Sequence, residues 1–147
     1  MLLDPHYILF LCSGNYYRSR YAEWYFNELI NNTSLSYSAF SRGLAVPWSN
    51  NPGPISMHTL SRIEFYGKEL EEPVRYPLQA TLDDFDNASL TIAIKETEHR
   101  HMMETLFPEL ANSITYWEIH DIDVARPEET LPNIEEHVSK LISRLEG

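Results

Sequence analysis

The sequence has little cysteine and little positive charge, and both shortages limit what the protein can be. Its 147 residues include one cysteine, so no internal disulfide can form, which suits a reducing, cytoplasmic setting. Lysine and arginine number 11 against 22 aspartates and glutamates, which gives a formal net charge of −11. We therefore expect no nonspecific binding to nucleic acid or to an anionic membrane surface.

Long hydrophobic runs are also missing. The N-terminal residues Met1–His6 carry no basic cluster, and the apolar run after them is far too short for a signal peptide or a membrane span. We expect no membrane association. Hydrophobic residues make up 43% of the chain and charged residues 22%, which is ordinary for a globular protein. The length predicts one domain that spans residues 1–147.

One stretch near the N-terminus combines a predicted strand, a short loop and a predicted helix. Tyr7–Leu11 is an apolar run typical of a buried strand, and residues 18–31 have apolar side chains at helical spacing. The only cysteine, Cys12, lies between them, and Arg18 follows six positions later. Such a junction points backbone N–H groups into one concavity, and the helix N-terminus adds partial positive charge. The sequence therefore predicts an anion-binding loop.

The side chains of this loop suit a bound phosphate and a reactive sulfur. Gly14 permits backbone angles that a side chain would forbid, and Asn15 tolerates left-handed angles. Arg18 offers a planar fork that matches two phosphate oxygens. Cys12, at the base of a positive site, is expected to ionise more readily than a free thiol, with the Ser19 hydroxyl donating to the thiolate. The sequence thus predicts a sulfur nucleophile aimed at a bound tetrahedral oxyanion.

The string Cys12-Ser-Gly-Asn-Tyr-Tyr-Arg18-Ser19 resembles the phosphate-binding loop of the low-molecular-weight protein tyrosine phosphatases, which share their fold with one class of arsenate reductases. The resemblance implies an α/β fold, namely a single three-layer α/β/α domain with a four-stranded parallel sheet, phosphotyrosine phosphatase I-like. The alternation of predicted strands and helices favours the same architecture. The resemblance also implies that the substrate phosphate is bound by the residues of the loop: Ser13, Gly14, Asn15, Tyr16, Tyr17 and Ser19.

Aromatic residues near the loop depart from the pattern of that family. Tyr16 and Tyr17 stand where the family commonly has an aliphatic residue and a second cysteine. Two phenol rings favour flat aromatic substrates, and Cys12 lacks a neighbouring sulfur that could protect it in a reversible disulfide. Trp48, in a turn-rich loop after the second predicted strand, is either a wall that stacks on a substrate ring or a surface aromatic that covers the core.

The general acid of the resembled family is an aspartate followed by proline, on a loop after the fourth strand. Here the spacing from the predicted strand at 114–117 best matches Asp121, but Ile122 stands where the proline should be. Asp123 is the competing choice. Both aspartates also fit a simpler interpretation, in which they solvate an exposed loop.

The histidines of the chain do not predict a metal site. His99 and His101 are two positions apart in a predicted helix at 97–107, so their side chains point to different faces. We interpret them as exposed or capping residues, and we expect neither a metal nor another cofactor. His58 and Arg62 fall on the exposed side of another predicted helix and are expected to be solvated.

These features predict a cytoplasmic phosphomonoester hydrolase that acts on a phosphotyrosine protein or a small aryl phosphate. In this hypothesis Cys12 is the nucleophile, Arg18 clamps the phosphate and Asp121 is the general acid and base. Two alternatives stay open. One is an arsenate reductase resolved by an external thiol, because the chain has no second cysteine. The other is a phosphate- or phosphopeptide-binding module with little turnover.

Overall fold

The computed structural model describes residues 6–147, and its centre is a parallel sheet of four strands. The strands, in chain order, are β1 (His6–Cys12), β2 (Tyr37–Gly43), β3 (Leu90–Ala93) and β4 (Thr115–Tyr116). They are arranged β2-β1-β3-β4, and every neighbouring pair is parallel. The α/β class and the four-stranded parallel sheet predicted from the sequence are confirmed.

Helices cover both faces of the sheet. Parallel strands need crossover connections, and the helices in these connections pack on the sheet. The helices are α1 (Arg18–Ile30), α2 (Val46–Ser49), α3 (Met57–Phe65), α4 (Leu82–Asn87), α5 (Glu96–Leu106) and α6 (Pro127–Leu145). Helices α1, α3 and α6 share one hydrophobic core with the sheet, and α4 and α5 contribute to a second core on the opposite face. The architecture therefore has three layers.

The central strand β1 is buried on both faces because its side chains alternate between the two cores. Ile8 and Phe10 pack in the core with α1 and α6, whereas Leu9 and Leu11 pack in the core with α4 and α5. All four side chains are fully buried. A strand covered on both sides needs a continuous apolar run rather than an alternating one, which explains the apolar sequence that precedes Cys12.

Helix boundaries differ from the sequence-based expectation in two places. The apolar residues at helical spacing near the C-terminus, such as Ile134, Val138 and Leu141, predict a helix over 132–145, but α6 begins at Pro127 and Pro132 lies inside it. Proline is tolerated in the first turn, where its missing N–H has no partner within the helix, so Pro127 opens the helix earlier than the apolar pattern indicated. The short helix α2 forms where the sequence predicted only a turn-rich loop.

The topology brings the ends of several strands to one edge of the sheet. Because all the strands are parallel, the loop after β1, the start of α5 after β3 and the segment after β4 meet at the carboxyl edge. Ligands of open α/β sheets bind at this edge. Within the described residues, no helix is both long enough and apolar enough to cross a membrane.

Candidate active site

The loop at residues 13–17 connects β1 to α1 and is held in shape by Asn15. This residue adopts a left-handed backbone conformation with φ of 51°, which asparagine tolerates better than most residues. Its buried side chain donates from Nδ2 to Ser19 Oγ and to Ser41 Oγ, both at 2.9 Å, and its Oδ1 accepts a hydrogen bond from Arg75 Nη1 at 3.0 Å. Asn15 therefore joins the loop to α1, to β2 and to the segment before α4.

Cys12 ends β1 at the base of this loop, and its sulfur contacts the first turn of α1. The distance between Cys12 Sγ and Ser19 Oγ is 2.9 Å. Because Asn15 already donates to the Ser19 oxygen, the hydroxyl hydrogen of Ser19 is free to point at the sulfur. This arrangement stabilises a thiolate, which is the nucleophilic form of cysteine.

Two glycines allow the loop to pass close to its neighbours. A Cβ atom at Gly43 would lie 2.7 Å from the carbonyl oxygen of Ser13, and one at Gly14 would lie 2.6 Å from the side-chain nitrogen of Asn51. Both distances are too short for real contacts, so a side chain at either position would displace the loop or its neighbour. The close fit explains why glycine occurs at the end of β2 as well as within the loop.

Arg18 is buried beside the sulfur, and its guanidinium is fixed from two sides. Nη1 donates to the carbonyl oxygen of Ile119 at 3.1 Å, and Nη2 donates to Glu98 Oε2 at 2.8 Å. The same Nη2 lies 3.3 Å from Asp121 Oδ2. Burial opposes the charge of Arg18, but the Cys12 sulfur and the Glu98 carboxylate outweigh it and raise the pKa of Arg18 above its usual value. The guanidinium is therefore a permanent positive charge at the base of the site.

Asp121 lies on the segment after β4 and lines the same cavity as Cys12 and Arg18. Its Oδ1 accepts a hydrogen bond from the backbone N–H of Ile122 at 2.8 Å. A proline at that position would have no N–H, so the departure from the family pattern supplies a contact that orients the carboxylate. Asp123 is exposed and does not line the cavity.

The cavity above the sulfur has a volume of about 300 Å³ and largely apolar walls. Tyr16 and Tyr17 line it, and the Tyr16 hydroxyl donates to the carbonyl oxygen of Pro52 at 2.6 Å, which fixes that ring against the loop before α3. Burial raises the pKa of Tyr17 to about 12, so its phenol stays neutral. The lining residues are Cys12, Gly14, Tyr16, Tyr17, Arg18, Asn51, Pro52, Ser56, Met57, His58, Asp121 and Ile122.

Trp48 lies outside this cavity, in contrast to the wall suggested by the sequence. It belongs to α2 and is 73% exposed. Neighbouring residues of a helix point about 100° apart, and in α2 it is Ser49 that faces Gly14. The aromatic wall is formed by Tyr16 and Tyr17 instead.

His58 and Arg62 of α3 were expected to be solvated, and both have partners. His58 lines the cavity, where its ring lies edge-on to the ring of Tyr17 with centroids 6.1 Å apart. Arg62 Nε donates to Glu135 Oε2 at 2.9 Å, which links α3 to α6. The periodicity of α3 correctly marked these residues as facing away from the core, but it could not show that a loop and another helix cover that side.

Sequence reasoning missed Glu98, in the first turn of α5. Besides Arg18, its Oε2 accepts a hydrogen bond from the Ser13 hydroxyl and lies 3.0 Å from His99 Nε2. Burial alone would raise the pKa of Glu98, but hydrogen bonds from His99 and Arg18 outweigh it and hold the pKa below its usual value. The position of Glu98 just after β3 could have revealed it, because the carboxyl ends of parallel strands lie at the same sheet edge as Cys12.

His99 is fully buried, which corrects the expectation of an exposed or capping histidine. Its Nδ1 accepts a hydrogen bond from the backbone N–H of Lys95 at 3.0 Å. Burial lowers the pKa of His99 below its usual value, so the ring is neutral and carries its proton on Nε2. In residues 6–147, no three histidine, cysteine, aspartate or glutamate side chains are grouped as metal ligands would be.

The sequence-predicted site residues thus fall into three groups. Six of them line the cavity together: Cys12, Gly14, Tyr16, Tyr17, Arg18 and Asp121. Three others do not line the cavity, and their side chains make hydrogen bonds that support the loop: Ser13, Asn15 and Ser19. Trp48 lies apart from both groups.

Several solved structures have the same fold over nearly the whole chain. A low molecular weight protein tyrosine phosphatase from T. tengcongensis is 22% identical with a TM-score of 0.78, and the match covers 95% of this chain and 99% of that one. YfkJ from Bacillus subtilis is 19% identical with a TM-score of 0.82, covering 98% and 96%. The YwlE arginine phosphatase from Geobacillus stearothermophilus is 21% identical with a TM-score of 0.77, covering 97% and 94%.

These structural similarities confirm, at the level of the fold, the family resemblance that residues 12–19 indicated. No family model and no curated protein sequence matches the chain. The identities are too low to carry an activity from the neighbours, so the chemistry depends on the residues of this site.

Proposed function

We propose that this protein is a phosphomonoester hydrolase that acts on phosphotyrosine or on small aryl phosphates. The observation that carries the proposal is the convergence of three groups on one cavity: the Cys12 sulfur, the Arg18 guanidinium and the Asp121 carboxylate. The neighbours named as tyrosine and arginine phosphatases support a phosphatase in general. The proposal includes a single domain over residues 1–147 and a cytoplasmic location, as the sequence predicted.

Binding of the phosphoryl group comes first. The loop at residues 13–17 leads into the N-terminus of α1, and the backbone N–H groups of such a loop favour an anion. Arg18 lines the cavity and adds a positive charge that Ile119 and Glu98 hold in place. Both donors are in place before the substrate arrives, so little reorganisation is needed as charge develops on the phosphoryl oxygens.

Attack by Cys12 then transfers the phosphoryl group to sulfur. The thiolate, stabilised by the Ser19 hydroxyl, forms an S–P bond while the bond between phosphorus and the phenolic oxygen breaks. Asp121, in its protonated form, gives its proton to the departing oxygen. The products of this step are a neutral phenol, a phospho-cysteine and the Asp121 carboxylate.

Water completes the cycle by attacking the phospho-cysteine. The Asp121 carboxylate takes a proton from the water as the new O–P bond forms and the S–P bond breaks. Inorganic phosphate leaves, the thiolate of Cys12 is restored and Asp121 is again protonated.

The walls of the cavity favour an aromatic leaving group. Tyr17 and His58 present ring edges and faces, and Ile122 adds an apolar side chain at the rim. A phenyl ring between such groups gains aromatic contacts of about 0.5–1.5 kcal/mol each. An aliphatic phosphoserine side chain is too short to use them, so we expect phosphotyrosine to be the better substrate.

Hydrolysis of para-nitrophenyl phosphate and of matched phosphotyrosine and phosphoserine peptides tests the proposal. We expect turnover that is lost in Cys12→Ser, that persists with EDTA, and that favours the phosphotyrosine peptide. Phosphate binding without turnover in the parent protein would contradict the hydrolase and favour the binding module. Equal rates for the two peptides would contradict the aryl preference alone.

A further inference from the structure

One oxygen atom joins the two ends of the loop that begins at Cys12. Glu98 Oε2 accepts a hydrogen bond from the hydroxyl of Ser13, at the start of the loop, and one from Arg18 Nη2 at its end, the latter at 2.8 Å. Glu98 lies in α5, so this connection comes from a distant part of the chain. Neither Glu98 nor its partners in α5 are needed for the chemical steps described above.

His99 lies beside both Ser13 and Glu98. Its Nδ1 accepts the N–H of Lys95, so the ring proton lies on Nε2, which is 3.1 Å from Ser13 Oγ and 3.0 Å from Glu98 Oε2. The ring is fully buried and cannot turn towards solvent. His99 can donate to the Ser13 oxygen while the Ser13 hydroxyl donates to Glu98, so the carboxylate is held in place before it orients Arg18.

Glu98 also competes with Asp121 for the same nitrogen of Arg18. Nη2 lies 2.8 Å from Glu98 Oε2 but 3.3 Å from Asp121 Oδ2. Without the Glu98 carboxylate, the nearest anion for this nitrogen is Asp121. A close pair between the two would turn the guanidinium away from the phosphate position and occupy the proposed proton donor.

We propose that Glu98 is a positioning residue that holds Arg18 in the orientation that binds phosphate and keeps it apart from Asp121. The statement about Asp121 rests on the proposed function, whereas the statement about phosphate binding does not. The Glu98 carboxylate should influence phosphate binding in two opposite ways. A nearby negative charge alone would weaken phosphate binding, whereas a fixed guanidinium strengthens it. The geometry predicts that the second effect is larger, because the charge of Glu98 is already matched by the Arg18 guanidinium and the Ser13 hydroxyl.

Calorimetric titration with inorganic phosphate tests this inference without requiring turnover. We expect Glu98→Gln to bind phosphate roughly 10-fold more weakly than the parent, since it loses a hydrogen bond between charged groups. Glu96→Gln is the matched control, because Glu96 lies in the same turn of α5 and pairs with the exposed Arg100 instead. Its phosphate affinity should equal that of the parent.

A kinetic comparison separates positioning from a general loss of structure. In Glu98→Gln, kcat for para-nitrophenyl phosphate should fall together with phosphate affinity, because Asp121 becomes paired. Ser13→Ala removes the hydroxyl that contacts Glu98 and His99 but leaves the bond between Glu98 and Arg18, so its effect should be smaller. Both variants should keep the thermal unfolding midpoint of the parent within a few degrees.

The outcomes distinguish this inference from the proposed function. Unchanged or tighter phosphate binding in Glu98→Gln would overturn the positioning role and identify Glu98 as a competitor of phosphate. A parent protein that binds phosphate but hydrolyses nothing would contradict the proposed function, while the binding data still decide the role of Glu98. A parent that binds no phosphate would overturn both.

Discussion

The two loops that meet at the cavity are built differently. In the loop after β1 and the first turn of α1, Asn15, Arg18 and Ser19 are almost fully buried, and the side chains of Asn15 and Arg18 hydrogen bond to other elements. In the segment after β4, Ile122 is 52% exposed and Asp121 makes its closest side-chain contact with its own neighbour in the chain. The half of the site proposed to bind phosphate is therefore fixed by the fold, whereas the half proposed to transfer the proton depends on local contacts.

This difference predicts which substitutions should reduce the stability of the protein. A buried polar side chain that loses its partners leaves them unsatisfied, which costs about 1–3 kcal/mol for each group. An exposed side chain can exchange its partner for water at little cost. Substitutions of the buried side chains in the first region should therefore reduce stability and activity together, and substitutions in the second should affect activity alone.

The largest effect is expected for Asn15→Ala, which removes the hydrogen bonds that hold the loop at residues 13–17 in shape. The free energy of unfolding should fall by about 2–4 kcal/mol, because Ser19, Ser41 and Arg75 lose their bonds to the amide. Activity should fall with it. Denaturant unfolding measures the first quantity and steady-state kinetics the second.

Asn50→Ala is the control for the backbone contribution alone. Asn50 also has a left-handed backbone, with φ of 54°, but its side chain is exposed. We expect a loss of about 1 kcal/mol at this site from the strained conformation. Equal losses at the two positions would show that the buried bonds of Asn15 do not stabilise the loop.

Next in size is the effect of Asp121→Asn on activity without an effect on stability. The rate for a substrate with a poor leaving group, such as phenyl phosphate, should fall about 10²-fold, because the proton for the departing oxygen is lost. The unfolding free energy should change by less than about 0.5 kcal/mol, as for other exposed sites. Asp123→Asn, two residues away, should leave the rate within about twofold. A larger loss in Asp123→Asn than in Asp121→Asn would assign the acid to Asp123.

The smallest effect is expected for Ile122→Pro, which restores the proline of the resembled family. The substitution removes the N–H that orients the Asp121 carboxylate but stiffens the backbone at the same point. Because the two changes oppose each other, kcat should stay within about fivefold of the parent, while Ile122→Ala, which keeps the N–H, serves as the control for the lost side chain. A fall as large as that of Asp121→Asn would show that the N–H is essential for the acid.

The sequence predicted those parts of the protein whose chemistry is local. The fold followed from the alternation of strands and helices, and the loop from the spacing of Cys12, Asn15 and Arg18. Asp121 was placed by its distance from a short strand, with Asp123 as a rival, and the structure brings only Asp121 to the cavity.

Other parts of the site depend on which segments meet in space. Glu98 and His99 are ordinary residues of an amphipathic helix until β3 and β1 lie side by side. His58 reaches the cavity only because α3 packs beside the loop, and Trp48 misses it because of the direction of one helical turn. None of these positions is encoded by spacing along the chain.

The most direct test of the proposed phospho-cysteine mechanism is the detection of a phosphoryl group on Cys12. Asp121→Asn would be mixed with para-nitrophenyl phosphate, whose good leaving group needs little protonation, and quenched in denaturant within the first turnovers. Because the second step still requires a base, the intermediate should accumulate. We expect mass spectrometry to find one phosphoryl group on the peptide that contains Cys12 and none in Cys12→Ser. Steady turnover with no phosphate on that peptide, or with phosphate on another residue, would contradict the mechanism.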